Sequence, residues 1–144
     1  MDDMTVQEIE RKKKYLKRYK KNIALIARLK DKLTVLDQRI YSLKSPSYSG
    51  MPRGGEPVDT VDLISDKREL EDRIERLTRR GHDLKTEILD CIDELDDPRY
   101  AEVLESFFID CKDFDEIAEE SGYTLRHVIR LYSEGILAVS VKCQ

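Results

Sequence analysis

The chain has 144 residues, 39% of them charged, with an apolar set dominated by Leu and Ile and only six Gly and four Pro. That balance favours long helices over a compact mixed core, and the length fits one domain or two small ones. No apolar run approaches the roughly 20 residues a bilayer-spanning helix needs, and the charged N-terminus lacks the apolar stretch of a signal peptide. A cytoplasmic protein with no membrane partner is therefore expected.

Three cysteines, Cys91, Cys111 and Cys143, are odd in number and widely spaced, which is neither a disulfide framework nor a zinc pattern. The two histidines, His82 and His127, stand at no ligand spacing from a cysteine, whereas structural zinc needs four converging ligands. Cys91 falls on an apolar heptad position and reads as a small buried hydrophobe. The carboxylates are abundant but fall on solvent-facing helical positions, and no nucleophile, base and orienting residue cluster together. No metal, no cofactor and no catalysis are expected.

The net charge of −4 conceals an asymmetry. Residues 1–44 carry 13 Lys/Arg against 6 Asp/Glu, residues 45–96 carry 8 against 14, and residues 97–144 carry 5 against 10. Much of the positive charge lies in Arg11-Lys12-Lys13-Lys14-Tyr15-Leu16-Lys17-Arg18-Tyr19-Lys20-Lys21. Segregation of this kind marks candidate nucleic-acid contacts, here Lys12, Lys13, Lys14, Lys17, Arg18, Lys20 and Lys21. The alternative is a solvated helix face.

In chain order, Thr5-Val6-Gln7-Glu8 has the form of a capping box, in which hydroxyl and carboxylate satisfy amides at a helix start. Apolar residues then recur at Ile9, Leu16, Tyr19, Ile23, Ile26, Leu29, Leu33, Leu36, Ile40 and Leu43, a nearly heptad seam. A helix over residues 6–43 would be about 57 Å long. The run Ser45-Pro46-Ser47-Tyr48-Ser49-Gly50-Met51-Pro52-Arg53-Gly54-Gly55-Glu56-Pro57 cannot sustain a helix. It lacks the Gly-Lys-Ser/Thr ending of a phosphate-binding loop.

A second helix follows over residues 58–96, with a seam of Leu63, Leu70, Ile74, Leu77, Leu84, Ile88, Cys91 and Leu95 and with Gly81 in one slot. Two helices of similar length joined by a loop fold back as an antiparallel, coiled-coil-like hairpin that buries both seams. Ile64, Leu89 and Ile92 widen the second seam. They call for a further partner, either the C-terminal helices or a second subunit, and a homodimer is the expectation.

Asp96-Asp97-Pro98 resets the chain, with Asp97 as N-cap and Pro98 at the first helical position. The next helix carries Tyr100, Ala101, Leu104, Phe107 and Phe108, the aromatic face of a small core. Asp113 can cap a following helix, Phe114 to Glu120. These signals divide the chain into 1–96, the hairpin with its loop at 45–57, and 97–144, a small C-terminal domain. The fold class is all-α.

Phe114 to Ser133 has the spacing of a helix-turn-helix. Ala118 permits a close helix crossing, Gly122 supplies a positive φ at the turn, and Tyr123 covers it. Thr124 caps the second helix, whose Val128 and Leu131 face inward. That second helix would read the major groove, with Thr124, Arg126, His127, Arg130 and Ser133 outward. Arg126 and Arg130, one turn apart, suit guanine edges or phosphates, and Thr124 with the helix N-terminus suits a phosphate. Asp113, Asp115, Glu116, Glu119 and Glu120 on the preceding helix would repel a DNA backbone, so weak binding by this part alone is expected.

The run from Asp113 to Tyr132, Asp-Phe-Asp-Glu-Ile-Ala-Glu-Glu-Ser-Gly-Tyr-Thr-Leu-Arg-His-Val-Ile-Arg-Leu-Tyr, resembles the helix-turn-helix of the promoter −35-reading domain of sigma factors. More closely, the chain resembles short phage and prophage regulators of the ArpU and RinA group over nearly its whole length. It shares their long helical N-terminal region, a Ser-Gly-x-Pro-like loop at Ser49 to Gly55 and a Leu-x-Asp-Pro-like junction at Leu95 to Pro98. It departs from them at Phe114, where Trp is frequent, and at Tyr132 to Leu137. The resemblance implies a DNA-binding transcriptional regulator of phage late genes, with double-stranded DNA and RNA polymerase as partners. The rival class is a non-catalytic helical adaptor that binds a protein through its hairpin.

Overall fold

The computed structural model of the chain describes residues 2–44 and 60–142, so the loop expected at 45–57 and Cys143 lie outside the described residues. The described residues form six helices and no strand: α1 (Asp3–Leu16), α2 (Arg18–Lys44), α3 (Thr60–Asp93), α4 (Pro98–Phe108), α5 (Phe114–Ser121) and α6 (Leu125–Ala138). No helix among them is long and apolar enough to cross a membrane.

The first long helix of the seam divides into α1 and α2 at Lys17. The hydrogen-bond ladder runs on through this residue, since the Lys17 amide donates to the Lys13 carbonyl and the Lys21 amide to the Lys17 carbonyl, both at 3.0 Å. The expected capping box at Thr5 and Glu8 is absent. α1 starts a turn earlier, where the Thr5 and Val6 amides donate to the Asp2 carbonyl at 3.0 and 3.2 Å. Asp3 places negative charge in the first turn, which favours an early start at the positive end of the helix dipole. Glu8 turns to Arg11 and Lys12 instead, at 3.8 and 4.0 Å.

The chain divides into two compact units, Met1–Ile23 with Arg80–Gln144, and Ala24–Arg79. The change of pattern near residue 96 is not where they part. In the second unit, α2 and α3 run antiparallel: Lys67 Nζ lies 2.7 Å from Asp37 Oδ1, and Leu63 shares one groove with Val35, Arg39 and Leu43. Leu29, Ile40 and Leu63 are buried there, and the other seam residues only partly so. A pair of helices covers one stripe on each partner and leaves the rest to solvent.

In the first unit, α2 and α3 are again antiparallel. Arg18 donates to Glu87 at 2.8 Å, and Gly81 lies against Asn22. A Cβ at Gly81 would stand 2.5 Å from Asn22 Oδ1, so glycine is what lets the buried Asn22 occupy the seam. The seam turns here, with Asn22 at 7% exposure and the expected seam residue Ile23 at 36%.

The core of this unit joins Leu16 of α1 and Ile88, Cys91 and Ile92 of α3 to Leu104, Phe108, Ile117, Val128, Leu131 and Ile136 of the last three helices. Each fully buried Leu, Ile or Phe contributes about 1.5–3 kcal/mol. Ile92 is fully buried and Leu89 packs at the edge of the same core, so two of the three residues that called for a further partner are covered within the chain. Ile64 remains exposed. α6 packs tightly on α4 at Gly135, where a Cβ would lie 3.2 Å from Leu104 Cγ and 3.3 Å from Tyr100 Cβ. Phe107, stacked on Phe114 with centroids 4.9 Å apart, also meets Phe108 and Tyr132 edge-on. Such pairs add roughly 0.5–1.5 kcal/mol beyond their buried area.

The reset at Asp97-Pro98 has the expected form. The Asp97 carboxylate accepts from the Arg99 amide at 2.9 Å and from the Arg99 guanidinium, also at 2.9 Å. The guanidinium first, and the amide next, hold this carboxyl below its ordinary value. A carboxyl depressed on folding contributes stability that is complete above its ordinary pKa of 3.8 and is lost as pH falls through the lower folded value. Asp97→Ala is accordingly expected to melt below the wild type at neutral pH. Thermal unfolding followed from pH 7 to pH 2 should show the two melting temperatures converging below about pH 4.

Candidate nucleic-acid interface

α5 begins with a capping box. Asp113 accepts from the Glu116 amide at 2.8 Å, and Glu116 accepts from the Asp113 amide at 3.5 Å. It ends at Gly122, whose φ of 77° is left-handed and whose amide donates to the Ala118 carbonyl at 3.0 Å. This conformation costs an L side chain roughly 1–2 kcal/mol, which is why glycine stands there. The Ser121 hydroxyl, donating to the Ile117 carbonyl at 2.6 Å and accepting from the Tyr123 amide at 3.3 Å, tightens the turn. Thr124 then caps α6 by accepting from the His127 amide at 3.1 Å. Ile117, Val128 and Leu131 face inward at 4% exposure or less. The turn and its inward contacts are those the spacing predicts.

On the outward side, Thr124, Arg126, Arg130 and Ser133 are exposed and His127 is half-buried. His127 is held in place. Its ring meets Tyr123 edge-on at 4.8 Å, and its Nδ1 lies 3.0 Å from Arg130 Nη2. A guanidinium can only donate, so Nδ1 accepts. Arg130 Nε also lies 4.0 Å from Glu134 Oε1, and Glu134 accepts the Tyr100 hydroxyl at 2.9 Å. The donated bond to this carboxylate, ahead of burial, raises the Tyr100 pKa. Arg126 carries no ion pair among the described residues.

Two outward residues are absent from the set predicted by sequence. Leu125 and Ile129 are 44% and 42% exposed. Their signal is readable in principle, since the buried stripe of α6 is Val128, Leu131, Tyr132, Gly135 and Ile136 and neither residue falls on it. Aliphatic character alone suggests the opposite placement.

The basic block is divided by the fold. Lys12 is 8% exposed and donates to the Leu137 carbonyl at 3.0 Å, among the last carbonyls of α6. Arg18 binds Glu87 and lies 3.9 Å over the Tyr15 ring. Lys20 sits 3.7 Å over the Phe107 ring, and burial lowers its pKa. Lys12 is buried, which corrects the expectation that it joins an outward basic surface, while Arg18 and Lys20 are half-buried at the edge of the core. The long aliphatic stems that suit a solvated face equally suit packing on aromatic rings. Lys13 pairs with Glu10 at 3.8 Å. Lys14, Lys17 and Lys21, spaced i, i+3 and i+7, are exposed on one helix face.

The acidic surroundings of α6 are also partly neutralised. Asp113 and Glu116 serve the cap of α5, Glu120 pairs with Lys112 at 2.6 Å, and Asp97 with Arg99. Asp115 and Glu119 remain exposed. Among the described residues, no three His, Cys, Asp or Glu side chains converge as metal ligands would. Comparison with known protein families, curated proteins and solved structures gives no match for the chain.

The division of the basic block has a direct test. Lys12→Gln is expected to destabilise the protein by about 1–3 kcal/mol, the range for a buried bond from a charged donor. The triple variant Lys14→Gln, Lys17→Gln, Lys21→Gln should unfold within about 0.5 kcal/mol of the wild type, as surface changes do. Urea denaturation of both would read the difference; equal losses would refute it.

Proposed function

We propose that the chain is a DNA-binding transcriptional regulator that reads the major groove with the N-terminal half of α6. One observation carries this reading: α6 is packed on its inner side through Val128, Leu131, Tyr132 and Ile136, while Arg126 and Arg130 stand exposed one turn apart on the other side. A guanidinium matches the paired acceptors of guanine in the major groove, and a helix of this width fits the groove. Thr124 and the free amides at the start of α6 suit a phosphate. Lys14, Lys17 and Lys21 form the basic stripe available for further backbone contacts.

The remaining carboxylates of α5 limit the nonspecific term, because phosphate neutralisation supplies most of it. A second contributor to affinity is therefore part of the proposal: RNA polymerase, a second copy of the chain, or the basic stripe itself. The resemblance to regulators of the ArpU and RinA group supports control of phage or prophage late genes in the cytoplasm. A non-catalytic adaptor is the second reading, favoured by Val35 and Ile64, which leave aliphatic surface exposed on the hairpin.

Binding to duplexes from the protein's own genomic neighbourhood, measured at several salt concentrations, separates these. Arg126→Ala with Arg130→Ala is expected to lose about 10- to 100-fold in affinity and to lose sequence preference. Neutralising Lys14, Lys17 and Lys21 should flatten the salt dependence, by up to about one in slope per lysine that meets a phosphate, without changing preference. Unchanged affinity and preference in the arginine variant would remove the recognition-helix assignment. Binding of polymerase without any binding of DNA would leave the adaptor.

A further inference from the structure

The outward face of α6 is built as two adjacent columns at four-residue spacing. Arg126 and Arg130 form one. Leu125, Ile129 and Ser133 form the other, and all five residues are exposed. A scattered exposed aliphatic residue is ordinary. Here two of them stand one turn apart beside the two arginines, on the half of the helix nearest its N-terminus.

The major groove offers one prominent apolar feature, the C5-methyl group of thymine, beside the paired acceptors of guanine. An aliphatic column alongside an arginine column is complementary to that combination. We infer that Ile129, supported by Leu125, is a specificity-determining residue that packs on a thymine methyl next to a guanine read from the arginine column. This inference rests on α6 being the recognition helix and deepens that reading. A protein groove is a poorer fit for the same face. The next exposed aliphatic on α6, Leu137, lies two turns beyond Ile129, with the polar Ser133 between them. An apolar partner would also have to cover the two guanidiniums.

The arginine column is unequally prepared for its part. Arg130 is oriented by the acceptor Nδ1 of His127, itself braced by Tyr123, whereas Arg126 carries no such bond among the described residues. His127 is thus a positioning residue for Arg130, and the guanine beside the Ile129 thymine is assigned to Arg130.

The test uses the full-length protein and a randomised duplex library, from which the wild type selects its preferred sequence. Each thymine of that sequence is then replaced singly by uracil, which removes the methyl and nothing else. At one position the wild type should lose about fourfold in affinity, the effect of one apolar carbon withdrawn from contact. Ile129→Ala, which keeps a good helix former at an exposed site, should bind the thymine and uracil duplexes equally. Helical content and melting temperature matching the wild type confirm that it is folded. Selection of a sequence with no methyl-sensitive thymine, or undiminished thymine preference in Ile129→Ala, overturns the inference and leaves the recognition helix standing. Failure of the wild type to enrich any sequence overturns the recognition helix and this inference together.

Discussion

α6 has one side to bury and a row of terminal carbonyls to satisfy, and the unit that contains it is organised around both needs. Its inner stripe is covered by α4 and α5, with Gly135 set tightly against Leu104 and Tyr100. Its carbonyl end receives the ammonium of Lys12, 125 residues away in the chain. A cation at the negative end of a helix is favourable in itself, and the bond gives the buried ammonium of Lys12 an acceptor. That bond ties α1 to α6. With its inner side packed and its end capped, α6 presents only its outward residues, and these are the residues on which the functional reading depends.

Much of this was legible in the residues. Asp97-Pro98, Asp113, Gly122 and Thr124 each act through a local mechanism, a cap or a left-handed turn, and each appears where its chemistry requires. Period revealed the two long helices, and their similar length with the break between them indicated the antiparallel course. What sequence could not supply were choices made by packing between distant segments. Lys12 stands in the seam between Ile9 and Leu16, but charge alone does not separate it, Arg18 and Lys20 from Lys14, Lys17 and Lys21, and the first three are engaged by a carbonyl, a carboxylate and an aromatic face. Leu89 and Ile92 signal correctly that the hairpin needs another surface to cover it, and the covering helices come from the same chain. The early start of α1 shows the same limit at short range, because two possible starts lay within one turn and the distal one was taken.

The division of charge bears on function. A block of lysines and arginines suggests a strong nonspecific grip on nucleic acid, but three of its members face the fold, leaving a narrower stripe at Lys14, Lys17 and Lys21. The acids of α5 and its neighbours are likewise reduced by caps and ion pairs. Both the attraction and the repulsion expected from composition are therefore weaker than the charge count suggests. In the proposed reading, contacts from the outward face of α6 would then supply a correspondingly larger share of the affinity for DNA.

The central claim is that the outward face of α6 is the DNA-contacting surface, and amide chemical-shift mapping tests it most directly. An isotopically labelled, full-length chain is titrated with a duplex that it binds. The account predicts the largest perturbations along Thr124 to Ser133, with smaller ones at Lys14, Lys17 and Lys21 and none at Lys67 or Ile64. Perturbations concentrated on α2 and α3 of the second unit, with α6 unmoved, would contradict it.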